Sequence, residues 1–392
     1  MSHEQHPDSA AGRIIVGAAI GAGVLAAAAL AAGALAVAAA RAVVTPPTRR
    51  EQDVRILSHD EHTITLSVMP GSVTPGRYTL WFSHEAGHAR IGDVISRSAT
   101  SVTRELLAVD FGDLASARMG RVTGWYYLSP EEFGHPWQDV EIETELGPAP
   151  AWLIPAAEPT TRWAIHVHGR AVRREETLRG VPVFREAGFT SLLVSYRNDG
   201  DAPASADGRY ALGAAEWRDL EAAMRFALDH GAKEIVLFGW SMGGAISLQT
   251  LTQSELADAV IGVALDSPVI DWVTALHYQA ALNRLPRFVG VGAMVLLRSS
   301  WALPLTGSAE PIDLGRLDLV TRARELDVPV LIMHSEHDGY VPITASRALA
   351  VTRPDIVTFV PFREAQHTRL WNFDPNRWNT ALRTWLGRLP RR

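Results

Sequence analysis

The chain contains no cysteine. Disulfide bonds, a thiolate nucleophile, cysteine-ligated zinc and a lipid on an N-terminal cysteine are therefore excluded. It also lacks an excess of positive charge, since the formal net charge is -6. Nucleic-acid binding needs clustered lysine and arginine, so no nucleic-acid partner is expected. What is present is an ordinary globular composition, 47% hydrophobic and 20% charged over 392 residues, enough for one large α/β domain or two smaller ones.

A long apolar run follows a short N-terminal tail, residues 1–13. From Ile14 to Val44 the single charged residue is Arg41, and the uncharged part exceeds the roughly 20 residues that cross a bilayer. We predict a membrane-spanning helix over residues 14–44. A cleaved signal peptide is the alternative, because small residues precede Arg41, although its apolar part is usually only about 7–15 residues long. More arginines follow the run than precede it, which favours a cytoplasmic position for the rest of the chain.

Glycines within this run form two short patterns. Gly21, Gly23 and Ala26 match GxGxxA, a dinucleotide-binding pattern. No acidic residue follows about 20 positions later to bind a ribose, so no dinucleotide cofactor is predicted. Gly17 and Gly21 match the GxxxG pattern of paired helices, but this spacing arises easily by chance in a segment so rich in alanine and glycine.

Residues 45–135 are predicted to form a linker and a small β-rich module. Short alternating runs are separated by glycine, proline and aspartate turn signals: HTITLSV, RYTLWFS, ARIGDVIS, SVTRELLAV and VTGWYYL. One turn contains HEAGH, residues 84–88, which matches the HExxH motif of zinc peptidases. That motif needs a helix to place both histidines on one face, whereas this copy lies between two strand-like runs. The polar tip of a hairpin is therefore preferred, with a zinc peptidase as an alternative.

Residues 136–390 show strands alternating with helices. VEIETEL and AWLIP predict a hairpin, and six further runs predict strands: RWAIHVHG, FTSLLVSYR, EIVLFGW, AVIGVALDSP, VPVLIMHSEHD and IVTFVPF. Predicted helices lie between them, among them REETLRGVPVFREAG, AAEWRDLEAAMRFALDHG and PNRWNTALRTWLGRL. This alternation predicts an α/β fold with a mostly parallel sheet covered by helices on both faces.

The stretch Gly239-Trp240-Ser241-Met242-Gly243 falls where a predicted strand turns sharply into a helix. Glycines at both ends let the chain turn tightly and leave the serine hydroxyl exposed above the sheet. Small residues suit any strand-to-helix turn, so the motif alone leaves an ordinary turn open. Three other features agree with a nucleophile: Asp338 ends a late strand, His367 lies between the last strand and the last helix, and His168-Gly169-Arg170 closes the first central strand.

With these features, residues 136–390 resemble the α/β-hydrolase family, whose triad runs in the order nucleophile, acid, base. The resemblance implies Ser241 as nucleophile, His367 as base, and Asp338 as the carboxylate that orients the imidazole. Asp266 also follows a strand and is the alternative acid, because some family members carry the acid at that earlier strand.

The resemblance also implies an oxyanion hole formed by the backbone N–H groups of Met242 and Arg170. In this family the tight turn that carries the serine is called the nucleophile elbow, and here Gly239 and Gly243 would support it. The loop that carries Arg170, the oxyanion loop, would be supported by His168 and Gly169. The Arg170 side chain is expected to be solvated. His166 and His168 form an HxH pattern that metal hydrolases use, but no third ligand converges in sequence, so no metal is predicted. His334 and His337 are predicted to support the Asp338 loop.

Residues 269–325 are too long for a simple crossover, and the resemblance implies a helical cap over the active site. Its Trp, Leu, Val and Met content indicates an apolar acyl or alkyl pocket. We therefore predict a membrane-anchored serine hydrolase without a metal or organic cofactor, cleaving a small-molecule or lipid-like acyl ester through an acyl-enzyme. Amide or peptide cleavage, and a catalytically silent binding domain at the membrane, are the alternatives.

Overall fold

The computed structural model describes residue 27 and residues 29–390 of the chain. Its first helix is α1, Ala29–Val44. The predicted span, residues 14–44, lies only partly within the described residues, and both glycine patterns lie outside them. In the described part no single helix has the length and hydropathy to cross a membrane. One helix pair, Arg287–Arg298 with Ser300–Thr306, reaches that length and composition but is bent by 98°.

The β-rich module is a closed antiparallel barrel with the strand order β1-β2-β5-β4-β3-β6. Its strands are β1 Val54–His59, β2 Thr63–Ser67, β3 Tyr78–Phe82, β4 Gly87–Arg97, β5 Ser101–Phe111 and β6 Met119–Thr123, with a short helix α2, Pro70–Val73, after β2. Alternate residues of these strands point inward and form a separate apolar core. The sequence predictions placed β2 to β5, overlapped β6 only at Val122 and Thr123, and missed β1.

The HEAGH segment is the tip of the β3–β4 hairpin. Phe82 pairs with Gly87 across the turn, and residues 83–85 have positive φ angles of 52°, 56° and 71°. The segment is therefore not helical, as expected for a hairpin tip. His88 is buried on β4, where its Nδ1 lies 2.7 Å from an Asp110 carboxylate oxygen.

The hydrolase-like part is built on an eight-stranded sheet with the order β14-β13-β12-β11-β9-β10-β8-β7. Its strands are β7 Gln138–Thr144, β8 Gly147–Ile154, β9 Arg162–Val167, β10 Thr190–Val194, β11 Glu234–Trp240, β12 Val260–Asp266, β13 Val330–Ser335 and β14 Val357–Phe362. The predicted hairpin of β7 and β8 is antiparallel, and β9 to β14 pair in parallel. Both faces of the central strands are buried, which explains their continuous hydrophobic runs.

Helices cover both faces of this sheet. They are α3 Val181–Glu186, α4 Trp217–Asp229, α5 Met242–Gln253, α6 Trp272–Leu282, α7 Arg287–Arg298, α8 Leu303–Thr306, α9 Thr344–Thr352, α10 Leu370–Phe373 and α11 Pro375–Leu386. Helices α4, α5 and α9 pack in one core, and α3, α10 and α11 pack in the other. The run REETLRGVPVFREAG is not one helix: a 3-10 segment, Arg174–Gly180, precedes α3, because Pro182 lacks the N–H that a continuous α-helix needs. Helices α6, α7 and α8 form the insertion between β12 and β13.

Candidate active site

Ser241 lies on a strained turn between β11 and α5, with φ 52° and ψ -116°. The neighbouring glycines are required by close contacts. A Cβ on Gly239 would collide with the carbonyl oxygen of Gly243, and a Cβ on Gly243 would collide with that of Val167. The turn is therefore a nucleophile elbow, in which glycine allows the close approach and the serine carries the strain.

The structure brings the three predicted triad residues together. His367 Nε2 lies 2.8 Å from Ser241 Oγ, and His367 Nδ1 lies 2.7 Å from an Asp338 carboxylate oxygen. The Asp338 side chain is fully buried, whereas that of His367 is 16% exposed. Tyr340 stacks beside the imidazole, with ring centroids 5.5 Å apart. This arrangement can pass the serine proton to His367 while Asp338 fixes the tautomer.

The titration of these groups fits such a role. Burial by itself disfavours a charged imidazole, but the Asp338 carboxylate outweighs it and raises the pKa of His367 above its ordinary value. Burial likewise opposes the ionised Asp338, yet His367 and His334 hold the pKa of this carboxyl well below its usual range. An ionised Asp338 can therefore stabilise an imidazolium at His367.

Asp266, the alternative acid, does not contact His367. One of its carboxylate oxygens accepts the Trp378 Nε1–H at 2.8 Å, and the other accepts the Ser267 hydroxyl at 2.9 Å. Burial raises the pKa of Asp266 to about 6. The Ser267 hydroxyl in turn accepts the backbone N–H of Thr368 at 3.1 Å. Asp266 thus supports the loop that carries the histidine, and Asp338 is the carboxylate that contacts the imidazole.

The oxyanion loop packs directly on the nucleophile. A Cβ on Gly169 would lie 3.2 Å from the Ser241 Cβ. In the described part of the chain, neither the Arg170 N–H nor the Met242 N–H has a hydrogen-bond acceptor, so both are available to an oxyanion. His168 is buried, stacks on Tyr196 and bonds to the Gly169 carbonyl.

Residues 164–381, more than half of the chain, match the alpha/beta hydrolase family. The chain belongs to this family. Residues 55–123, which form the barrel, match a domain of unknown function, DUF8805.

Two solved crystal forms of a Pyrococcus furiosus esterase share the fold. One is 18% identical and has a TM-score of 0.52, with 67% of this chain and 96% of that chain covered. The other is 19% identical and has a TM-score of 0.51, with 67% and 94% covered. A comparison with curated proteins finds no similar sequence.

The Arg170 side chain departs from the expectation for this alpha/beta hydrolase. It was expected in solvent, but its guanidinium donates to the carbonyls of Ala42 at 2.8 Å and Thr45 at 3.0 Å. It also lies over the Tyr210 ring, 5.0 Å from the centroid. The reason is that the end of α1 and the linker after it cross the oxyanion loop, which sequence periodicity does not reveal.

The other histidines discussed for the site, His166, His334 and His337, have structural partners. His166 Nε2 lies 3.1 Å from Ser191 Oγ, but both side chains are buried in the sheet, and burial lowers the pKa of His166 to about 3. In the residues that the structure describes, no three His, Asp or Glu side chains are placed to hold a metal ion. His334 bonds to Ser346 and lies 3.2 Å from Asp338, as predicted for a supporting residue. For His337 the contact is a backbone one, from its N–H to the Ser335 hydroxyl.

Sequence reasoning missed a buried carboxylate that joins the two catalytic loops. Glu176 accepts the Gly169 N–H at 3.0 Å with one oxygen and the Thr368 hydroxyl at 3.1 Å with the other. It follows the oxyanion loop in the 3-10 segment and carries no motif. Because Thr368 directly follows His367, Glu176 fixes the oxyanion loop relative to the base.

A second missed residue, Asn372, joins the histidine loop to the barrel. Its amide nitrogen donates to the carbonyls of Arg77 at 2.8 Å and Gly124 at 3.1 Å, and its oxygen accepts the Arg179 guanidinium at 2.6 Å. Arg369 adds a hydrogen bond to the Val122 carbonyl at 2.9 Å. The barrel therefore braces the segment that follows His367.

Proposed function

We propose that the protein is a serine esterase that cleaves an acyl ester through Ser241 and is held at a membrane by its N-terminal apolar segment. The observation that carries the catalytic proposal is the continuous hydrogen-bonded chain from Ser241 Oγ through His367 to Asp338. Membership of the alpha/beta hydrolase family supports the same reaction class.

The reaction follows from the positions of the side chains. Ser241 Oγ attacks the ester carbonyl carbon, and its proton moves to His367 Nε2. The N–H groups of Met242 and Arg170 stabilise the oxyanion, each donor contributing a factor of about 100 to 1,000. Collapse breaks the bond to the alcohol, which takes the proton from His367 and leaves an acyl-Ser241 ester.

Water then completes the cycle. His367 removes a proton from a water molecule that attacks the acyl carbon, and the second tetrahedral intermediate breaks the Ser241 Oγ–acyl bond. The proton returns to Ser241, and the carboxylic acid is released. The substrate is proposed to be an apolar acyl ester because the cap helices α6 and α7 are rich in leucine and valine.

The test is labelling with a fluorophosphonate probe followed by mass mapping. We expect one adduct, on Ser241, and ester turnover that falls to background in Ser241→Ala with unchanged thermal unfolding. Ser191→Ala is the matched control, because it removes the hydroxyl of the buried Ser191–His166 pair. A folded Ser241→Ala variant that keeps its turnover would exclude the proposal, and folded wild-type protein without an adduct would favour a silent binding domain.

A further inference from the structure

Helix α1 packs on the cap. A Cβ on Gly292 of α7 would lie 3.0 Å from the Ala36 Cβ, and the Arg41 side chain donates to the Leu305 carbonyl at 2.7 Å. On α1 the buried residues are Ala36, Ala40 and Val44, spaced four apart along one side. The opposite side of α1 is therefore exposed, and so is the outer side of the cap next to it.

This outer surface is apolar where a globular protein normally places polar residues. On α7, Phe288, Val291 and Val295 are spaced for one helical face and are 58%, 48% and 50% exposed. We define the cap face as these three residues together with the neighbouring exposed side chains Leu30, Leu35, Trp301 and Leu305. Trp301 is 67% exposed, which is unusual for an aromatic side chain of that size.

The charged residues of the two sequence segments that form the cap face are all arginines. The chain has more acidic than basic residues, 43 against 37, yet residues 9–50 and 272–309 contain no aspartate or glutamate. Arginines do occur there, and Arg284, Arg287 and Arg298 lie exposed at the ends of the α7 face. Within the described residues none of these three forms an ion pair. An apolar face with exposed arginines at both ends of α7 matches an anionic lipid surface.

The same elements border the active site. On the cap side, Tyr278 of α6 donates to the Asp338 carbonyl at 2.9 Å. On the other side, Arg170 of the oxyanion loop donates to the carbonyls of Ala42 and Thr45 at the end of α1. The cap and α1 therefore contact the loops that carry Asp338 and Arg170.

We propose that the cap face lies on the surface of an anionic lipid bilayer and that the site takes lipid-like acyl esters from it. The substrate part rests on the proposed esterase function, whereas the docking part does not. A second copy of the chain fits the surface less well, because a two-fold contact would bring the arginines of the two cap faces together, and residues 272–309 contain no acidic residue to pair with them.

The test uses the absence of cysteine, since one introduced cysteine labels one position. The full chain carrying Val295→Cys, or Val351→Cys as the control, is labelled with the fluorophore NBD and placed in nanodiscs of phosphatidylcholine with or without phosphatidylglycerol. Val351 is 80% exposed on α9, outside the cap face. Dithionite reduces NBD in water, and doxyl-labelled lipid quenches NBD within the bilayer.

With phosphatidylglycerol present, we expect dithionite to reduce the label at position 295 severalfold more slowly than the label at position 351, and doxyl lipid to quench it. Equal reduction rates at the two positions would show an anchored chain whose cap face stays in water, and would overturn the proposal. Protection without doxyl quenching would also overturn it, in favour of a protein cover such as a second copy. Fluorophosphonate labelling of the same samples separates the two proposals, because loss of Ser241 reactivity with docking retained contradicts only the esterase.

Discussion

Asp338→Asn is the sharpest test of the triad, because it removes the charge beside His367 with little change of volume. The wild-type carboxylate accepts the Nδ1–H at 2.7 Å and is fully buried. An asparagine amide can instead donate to Nδ1, which favours the imidazole tautomer with its proton on Nε2. That tautomer cannot accept the serine proton. In comparable triads the loss is about 10⁴-fold in kcat, which is about 5 kcal/mol of activation free energy.

Asp266→Asn is the matched control, since it makes the same chemical change at the other strand end. Asp266 bonds to Trp378 and Ser267, and an asparagine oxygen can still accept from one of them. No contact with the imidazole is lost. We therefore expect kcat within about tenfold of wild type, which is less than about 1.4 kcal/mol.

The assay is steady-state hydrolysis of a p-nitrophenyl acyl ester, with the thermal unfolding midpoint of each variant measured alongside. A folded Asp338→Asn variant with wild-type kcat would refute the assignment of the acid. A roughly 10⁴-fold loss of kcat in Asp266→Asn, with the kcat of Asp338→Asn little changed, would also refute that assignment. Loss in both variants with normal unfolding would show that the two carboxylates act together, contrary to the geometry.

The pH profile gives an independent check of the same variant. Burial favours the neutral imidazole, but Asp338, with smaller contributions from Glu176 and Asp266, raises the pKa of His367. The base must be neutral to act, so activity falls as pH drops through this raised pKa. Removing the Asp338 charge lowers the pKa of His367. The acid limb of kcat/KM should therefore move to lower pH in Asp338→Asn. A limb that stays in place would mean that His367 is not the titrating base.

Two further predictions concern residues that position the catalytic loops. Glu176→Gln keeps the shape but removes the charge that faces His367, so we expect a folded protein with about 10-fold to 100-fold lower kcat, little change in KM, and an acid limb moved to lower pH. If the acid limb of the pH profile does not move, the role of Glu176 is purely structural. Asn372→Ala removes hydrogen bonds to Arg77, Gly124 and Arg179, so unfolding should become easier by about 2–4 kcal/mol and kcat should fall. The control is Asn283→Ala on the exposed end of the cap, where the amide bonds to the Gln279 carbonyl; equal effects in both variants would contradict a brace between barrel and histidine loop.

The central sheet could be predicted because its signals are local. Strands β9 to β13 are buried on both faces and read as continuous apolar runs, and the edge strand β14 is a half-buried apolar run, so periodicity and turn residues place them. Strand β1 is different: only Val54 and Ile56 of its residues are buried, and a pattern of two apolar positions does not stand out after a linker. Its pairing partners β2 and β6 define it, and partners are a tertiary property.

The strained turn at Ser241 could be predicted for a similar reason. Gly239 and Gly243 are needed by contacts within a few residues or with the adjacent strand, and the elbow leaves a motif in the sequence. Glu176 and Asn372 leave none. Glu176 meets a partner 192 positions away, and Asn372 meets partners 248 and 295 positions away. Any buried glutamate or asparagine would look the same in one sequence, so only the assembled fold identifies them.

The linker after α1 contacts both the hydrolase-like part and the barrel, and so connects these two parts with α1. Arg170 of the oxyanion loop donates to the Thr45 carbonyl at 3.0 Å, and Arg50 donates to the Ala171 carbonyl at 2.9 Å. Arg50 also pairs with Glu85 of the barrel at 3.2 Å. The oxyanion loop is thus held from both sides by the segment that leaves α1. If α1 and the cap face lie at a bilayer, this loop is fixed at one height above it, and the distance between the lipid surface and Ser241 becomes a property of the fold rather than of a flexible tether.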